Sequence, residues 1–211
     1  MRKSNPSSLC EKSIQKALRH LRREDKVMAE LLKKHPACPL GSSTYLPFHT
    51  LASSIISQQL SSKAASTIKQ RISAHMPLPF EAAAFLLVSP EVLREAGLSR
   101  PKARYIREIA TRVTIGQVDL DGLTERSDEE AISVLVELPG IGRWTAEMFL
   151  IFALKRPNVL ALGDAGLKRA ARNLYGISND PEDNLVRAAE AWHPYRSVAS
   201  WYLWRHADAG F

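Results

Sequence analysis

The chain has 211 residues, 45% of them hydrophobic, enough to build one or two compact domains with a sizeable core. Its formal net charge of +7 favours a polyanionic partner on electrostatic grounds. Cys10 and Cys38 are the only cysteines, too few for a four-cysteine iron–sulfur cluster or an all-cysteine zinc site, and isolated thiols suggest a reducing compartment. The histidines are scattered without metal-ligand spacing, so no metal site is expected. The longest apolar runs, such as Met148 to Leu154, fall far below the ~20 residues needed to cross a bilayer. The first residues carry no apolar stretch of secretory type, so a soluble intracellular protein is expected.

Nearly every segment reads with helical period, and no alternating strand stands out. Helices are predicted near 8–22, 25–34, 47–57, 61–75, 80–87, 90–96, 101–114, 128–137, 143–154, 165–175, 182–192 and 196–207. Pro36, Pro39 and Gly41-Ser42-Ser43 mark a loop after the first two. Met76-Pro77-Leu78-Pro79 marks a second break. Arg94, Arg100, Lys102, Arg104, Arg107 and Arg112 crowd one stretch offset only by Glu95 and Glu108, a solvated helix face or a set of phosphate contacts. Ser127-Asp128-Glu129-Glu130 reads as a capping box. Gly176 is placed to end a helix, and Asp180-Pro181-Glu182-Asp183 to start the next.

Between two of these helices lies Leu138-Pro139-Gly140-Ile141-Gly142. Glycines two apart, flanked by apolar residues, let a hairpin turn tightly with its N–H groups exposed to one side. Amides at a helix N-terminus favour a phosphate, so helix, hairpin, helix can grip a nucleic-acid backbone without reading its sequence. Short glycine motifs also occur in ordinary tight turns. Asp164 follows twenty-two residues after Gly142, and with Gly163 before it and a helical pattern behind it, it reads as an N-cap.

The run from Leu138 through Arg143-Trp144-Thr145-Ala146 resembles the helix-hairpin-helix DNA glycosylase superfamily, and within it the alkylbase glycosylases of the 3-methyladenine DNA glycosylase II type. Ile55-Ile56-Ser57-Gln58-Gln59-Leu60-Ser61 sits at the family's usual distance upstream, and Gly163-Asp164-Ala165-Gly166-Leu167-Lys168 looks like its catalytic-aspartate segment. The likeness covers roughly Phe48 to Trp204. It implies an all-α fold of two helical subdomains with a cleft between them. One would be 47–155, containing the hairpin; the other, discontinuous, would be 1–46 plus 156–211. Larger relatives carry a further β-rich N-terminal domain, for which this chain is too short.

The resemblance also assigns roles. Asp164 matches the catalytic aspartate: an anion held beside an oxocarbenium-like sugar stabilises the transition state, and it could also orient the attacking water. Trp144 and Trp204 match aromatics lining the lesion pocket, where a flipped base is held between apolar surfaces and a cationic alkylpurine meets a tryptophan face. Either tryptophan could equally be packing. Met148 departs from a tyrosine found there in some relatives, which leaves the lesion range open. Gly140, Ile141, Gly142, Arg143 and Thr145 are expected to contact DNA. Gln58, Gln59 and Leu60, between two helical patterns, could fill the hole left by the flipped base; family position points to Gln59, then Leu60.

The function implied is a monofunctional glycosylase hydrolysing alkylated purines from duplex DNA in base excision repair, acting as a monomer in the cytoplasm or nucleoid, or in a eukaryotic nucleus. No cofactor is required, although family hairpins often hold a monovalent cation on backbone carbonyls. Bifunctional relatives carry a lysine immediately after Gly-Arg, where this chain has Trp144. A mismatch or oxidised-base glycosylase on the same fold remains an alternative, as does a non-catalytic helix-hairpin-helix module, against which Asp164 and the aromatics argue.

Overall fold

The computed structural model describes residues 8–42, 46–176 and 181–209. Among them are twelve α-helices and no β-strand, an all-α fold: α1 Glu11–Glu24, α2 Lys26–Lys34, α3 Pro47–Ser57, α4 Ser62–Ser73, α5 Ala82–Leu87, α6 Pro90–Glu95, α7 Arg100–Thr114, α8 Asp128–Val136, α9 Arg143–Phe152, α10 Ala165–Tyr175, α11 Pro181–Trp192 and α12 Arg196–Asp208. No helix among them is long and apolar enough to cross a membrane. The chain forms two compact units, one of Met1–Ser43 with Leu150–Phe211 and one of Thr44–Phe149.

The Thr44–Phe149 unit closes on a core of Leu51, Ile55, Phe80, Phe85, Ile106, Ile109 and Leu135, each essentially inaccessible to solvent. Phe85 meets Phe48 and Phe80 edge-on, with ring centroids 6.1 Å apart in both pairs, a favoured aromatic geometry. Its longest helix, α7, buries Ala103, Ile106, Ile109 and Ala110 and packs against α3, α5 and α6. The sequence-derived capping box forms: the Ser127 N–H donates to Glu130 Oε2 (2.8 Å), and the Glu130 N–H to Ser127 Oγ (3.4 Å).

In the other unit, α10 is clamped at both ends. Its last residue, Tyr175, donates its hydroxyl to Asp25 Oδ2 (2.7 Å), which also accepts the indole N–H of the fully buried Trp192 (2.8 Å). Asp25 itself joins α1 to α2, its Oδ1 accepting the Met28 N–H (2.9 Å). Burial and the Asp25 carboxylate push the Tyr175 phenol well above its ordinary range. Ser197 fastens the segment leading into α10, accepting from the Val159 N–H (3.0 Å) and donating to the Arg156 carbonyl (2.6 Å).

Helix boundaries differ from the sequence reading by one to three residues, and two of the shifts have a visible cause. Helix α1 starts at Glu11 rather than 8, because Ser13 Oγ accepts the Cys10 N–H (2.7 Å) and closes the helix there. Helix α9 ends at Phe152: the chain doubles back through Lys155 at φ +55°, so that the Arg156 N–H reaches the Leu150 carbonyl (2.9 Å). Short 3-10 turns occupy Pro39–Gly41 and Gly122–Glu125, where no helix is predicted. The expected cap at Asp180 lies outside the described residues.

Candidate functional site

The hairpin alternates between anchoring and exposure. Leu138 and Ile141 are buried, whereas Gly140, Gly142, Arg143 and Trp144 are exposed. The Ile141 N–H is spent on the Leu138 carbonyl (3.1 Å), and the Gly142 carbonyl accepts the Ala146 N–H (3.0 Å) to start α9. Gly140 sits at φ +78°, and a Cβ there would lie 2.5 Å from the Tyr105 ring, so two independent constraints demand glycine. Around Gly142 a Cβ would meet nothing within 4 Å. The turn is therefore packed on its Gly140 side and open at Gly142.

Several residues expected to touch DNA have internal duties. The Ile141 side chain and amide both belong to the turn, and the Thr145 side chain is buried. Arg143 holds Glu129 through both terminal nitrogens (3.0 and 2.6 Å) and donates Nε–H to the buried Glu147 (3.1 Å). It thus staples α8 to α9, and the hydrogen bond to Glu129 raises its pKa further. Trp144 projects at 43% exposure; Met148, one turn later, is buried.

The Gln58–Leu60 turn lies in the same unit. Gln59 adopts φ +57°, the left-handed region a non-glycine residue enters only when held there. Gln59 and Leu60 are exposed. Gln58 is not: its Nε2–H donates to the Gly140 carbonyl (2.9 Å), tying this turn to the hairpin.

The basic cluster has divided duties. Lys102 donates to the Ile56 and Gln58 carbonyls (2.9 and 2.6 Å), Arg107 to the Leu86 and Val88 carbonyls (3.3 and 2.6 Å), and Arg112 pairs with Glu108 (2.5 Å). Arg94, Arg100 and Arg104 line a groove of about 480 Å³ along α6 and α7. Lys102 and Arg107 thus serve carbonyls of neighbouring segments, Arg107 also lines the groove, and Arg104 lies over the Tyr105 ring at 5.4 Å. Lys102 and Tyr105 are not distinguished by sequence reasoning, although one signal was present: the first turn of α7 holds cations and no acid, against the helix dipole, unless they serve a neighbouring element.

In the Met1–Ser43 with Leu150–Phe211 unit, Asp164 caps α10. It is 8% exposed, and its Oδ1 accepts the Leu167 N–H (2.7 Å) and the Trp204 indole N–H (3.1 Å). Trp204, on α12, stacks on Phe152 with centroids 5.8 Å apart. Gly166 makes room: a Cβ there would come within 3.1 Å of Asp164 Oδ1 and 3.7 Å of the Trp204 ring. Trp204 therefore orients the aspartate besides presenting an aromatic surface, and Phe152, absent from the sequence-derived set, completes the aromatic pair. Lys168, one turn after Asp164, belongs to α10 through its N–H bond to the Asp164 carbonyl (3.1 Å).

This pairing of an amide-presenting hairpin with a preorganised carboxylate has parallels among known proteins. The sequence pattern of the HhH-GPD superfamily base excision DNA repair proteins matches residues 52–194. DNA-3-methyladenine glycosylase 1 of Schizosaccharomyces pombe is 34% identical over 166 residues, 75% of this chain and 72% of that protein. The crystal structure of DNA-3-methyladenine glycosidase from Bacillus halodurans superposes with a TM-score of 0.76 at 37% identity, covering 90% of this chain and 88% of that one. The S. pombe 3-methyladenine DNA glycosylase Mag1, in complex with abasic DNA, superposes with a TM-score of 0.77 at 30% identity, covering 92% and 97%. The match over most of the chain, joined to this hairpin and this aspartate, makes the protein a member of the HhH-GPD superfamily of base excision DNA repair proteins.

Proposed function

We propose that the protein is a monofunctional DNA glycosylase that removes alkylated purines, of the 3-methyladenine and 7-methylguanine type, from duplex DNA. The observation that carries this is Asp164, a nearly buried carboxylate oriented by a helix amide and an indole N–H. The similarity to 3-methyladenine glycosylases over most of the chain supports the substrate class.

The exposed hairpin around Gly142 takes the phosphates, and Gln59 with Leu60 occupies the space vacated by the flipped nucleotide. Trp144 offers an aromatic surface to a cationic base. The bond between C1′ and the base nitrogen breaks, and its electron pair leaves with the base, which departs neutral. Asp164 stabilises the positive charge growing on the sugar; because its donors hold it in place beforehand, little reorganisation is required during reaction. Water then bonds to C1′ and loses a proton, leaving an abasic site in an intact strand. A monovalent cation, if bound, would be held by hairpin carbonyls such as those of Leu138 and Gly140, each with a lone pair beyond its present donor. It would add positive charge near the phosphate, and no step depends on it. The protein acts as a monomer.

The deciding assay offers duplexes bearing 3-methyladenine, 1,N6-ethenoadenine, 8-oxoguanine or uracil and measures released base. Release from the first, with strand breaks only after alkali or heat and no borohydride-trapped adduct, is expected. Release from 8-oxoguanine or uracil alone would overturn the substrate class, and a trapped adduct the monofunctional assignment.

A further inference from the structure

Helix α3 ends at Ser57, leaving carbonyls without intrahelical donors. The Lys102 ammonium, from the first turn of α7, supplies two donors there, to Ile56 O at 2.9 Å and Gln58 O at 2.6 Å. A cation at a helix C-terminus is also favoured by the dipole. Immediately beyond, Gln59 is held at φ +57°, a strained conformation for a non-glycine residue that persists only where its surroundings over-determine it. Those surroundings are few. The Leu60 N–H returns to the Ser57 carbonyl (3.2 Å), Ser61 caps α4, Lys102 holds the carbonyl preceding Gln59, and the Gln58 amide reaches Gly140 O (2.9 Å). Three residues after Lys102 on α7, Tyr105 forms the floor under Gly140. One helix therefore supports both the exposed turn and the hairpin, and Gln58 joins them.

We infer that Lys102 and Gln58 are positioning residues for base extrusion, coupling the phosphate-gripping hairpin to the Gln59–Leu60 wedge through α7. This rests on the reading of the protein as a base-flipping glycosylase. Phosphate engagement fixes Gly140; Gly140 fixes Gln58; and Gln58 together with Lys102 keeps Gln59 aimed outward, so the wedge enters the duplex without first having to order itself. Losing the coupling raises the cost of extrusion while leaving the grip and the chemistry in place.

The test is single-turnover base release from two duplexes, one with the lesion opposite its normal partner and one with it in an unpaired bulge, where extrusion costs least. Lys102→Met keeps the aliphatic stem and removes the donors; Gln58→Leu does the same for the amide. The loss on the paired lesion should exceed that on the bulged lesion by about tenfold for Lys102→Met, which removes charge-assisted hydrogen bonds, and by about threefold or more for Gln58→Leu, which removes a neutral one. Affinity for undamaged duplex should change less than about threefold, and Lys102→Arg, which restores donors, should recover part of the paired-lesion rate. Equal losses on both duplexes in a folded variant, or no loss on either, overturn the inference. If Lys102→Met fails to fold, Gln58→Leu decides alone by its own paired-to-bulged ratio. Wild-type protein that releases no base from either duplex would refute the glycosylase reading itself. In that event 2-aminopurine fluorescence beside the lesion still reads the wedge: a rise with wild type that both variants lose supports the coupling, and an equal rise or none refutes it.

Discussion

The hairpin and the Asp164 environment solve opposite problems with opposite materials. The hairpin is built from backbone: exposed glycines over buried Leu138 and Ile141, with side chains spent on holding the turn rather than on reaching outward. The aspartate site is built from side chains: a carboxylate 8% exposed, two donors on one oxygen, an indole stacked on a phenyl ring, and a glycine that only makes room. A repeating phosphate chain can be gripped by repeating amides, which carry no sequence preference. A transient charge at one atom needs an anion fixed at one place. Changes at the first site should accordingly register in binding and salt dependence, and changes at the second in rate.

Asp164→Asn puts that division under the greatest strain. The amide keeps the volume and loses the anion, so base release should fall about 100-fold or more while duplex affinity changes little. Near-wild-type single-turnover release would remove Asp164 from the mechanism, and a matching collapse in affinity would erase the division between the two regions.

The glycines offer a contrast within the hairpin. Gly140→Val meets both a left-handed backbone and the Tyr105 ring, so it should lower thermal stability, by about 2 kcal/mol on the scale of strained backbone substitutions, and weaken binding as well. Gly142→Val has open space around it and should leave the melting temperature nearly unchanged while still weakening duplex binding, because its side chain fills the approach a phosphate uses. Equal affinity for wild type and a folded Gly142→Val would show that the open side of the turn is not the contact.

Trp204→Phe separates ring from donor. It keeps an aromatic surface against Phe152 and removes one of the two hydrogen bonds to Asp164 Oδ1, so release should slow about tenfold at unchanged duplex affinity. A rate equal to wild type would reduce Trp204 to packing.

Arg143→Met should have the smallest effect. Its guanidinium is largely exposed and holds the exposed Glu129 and the buried Glu147, so base release should change little while about 1 to 2 kcal/mol of stability is at stake. The slope of log affinity against log salt should stay where it was; a slope shallower by about one would make Arg143 a phosphate contact after all.

What could be read from the sequence was whatever depends on neighbours along the chain. Helical period set the all-α fold, the Ser127–Glu130 box set the start of α8, and Asp164 declared itself an N-cap through the residues that follow it. Where a local cue competed with another, boundaries slipped, as at Cys10 and Lys155. The sequence could not tell which cation would serve which partner, because Lys102, Arg104 and Arg107 carry the same charge along one helix. Only the packing of α7 against α3 and α5 decided that Lys102 and Arg107 would spend their donors on carbonyls. Likewise the bond from Trp204 to Asp164 joins residues forty apart, and that from Gln58 to Gly140 residues eighty-two apart. Such contacts carry no periodic signature: a hydrogen bond between distant elements follows from the path of the chain in space, which many weak apolar contacts determine together.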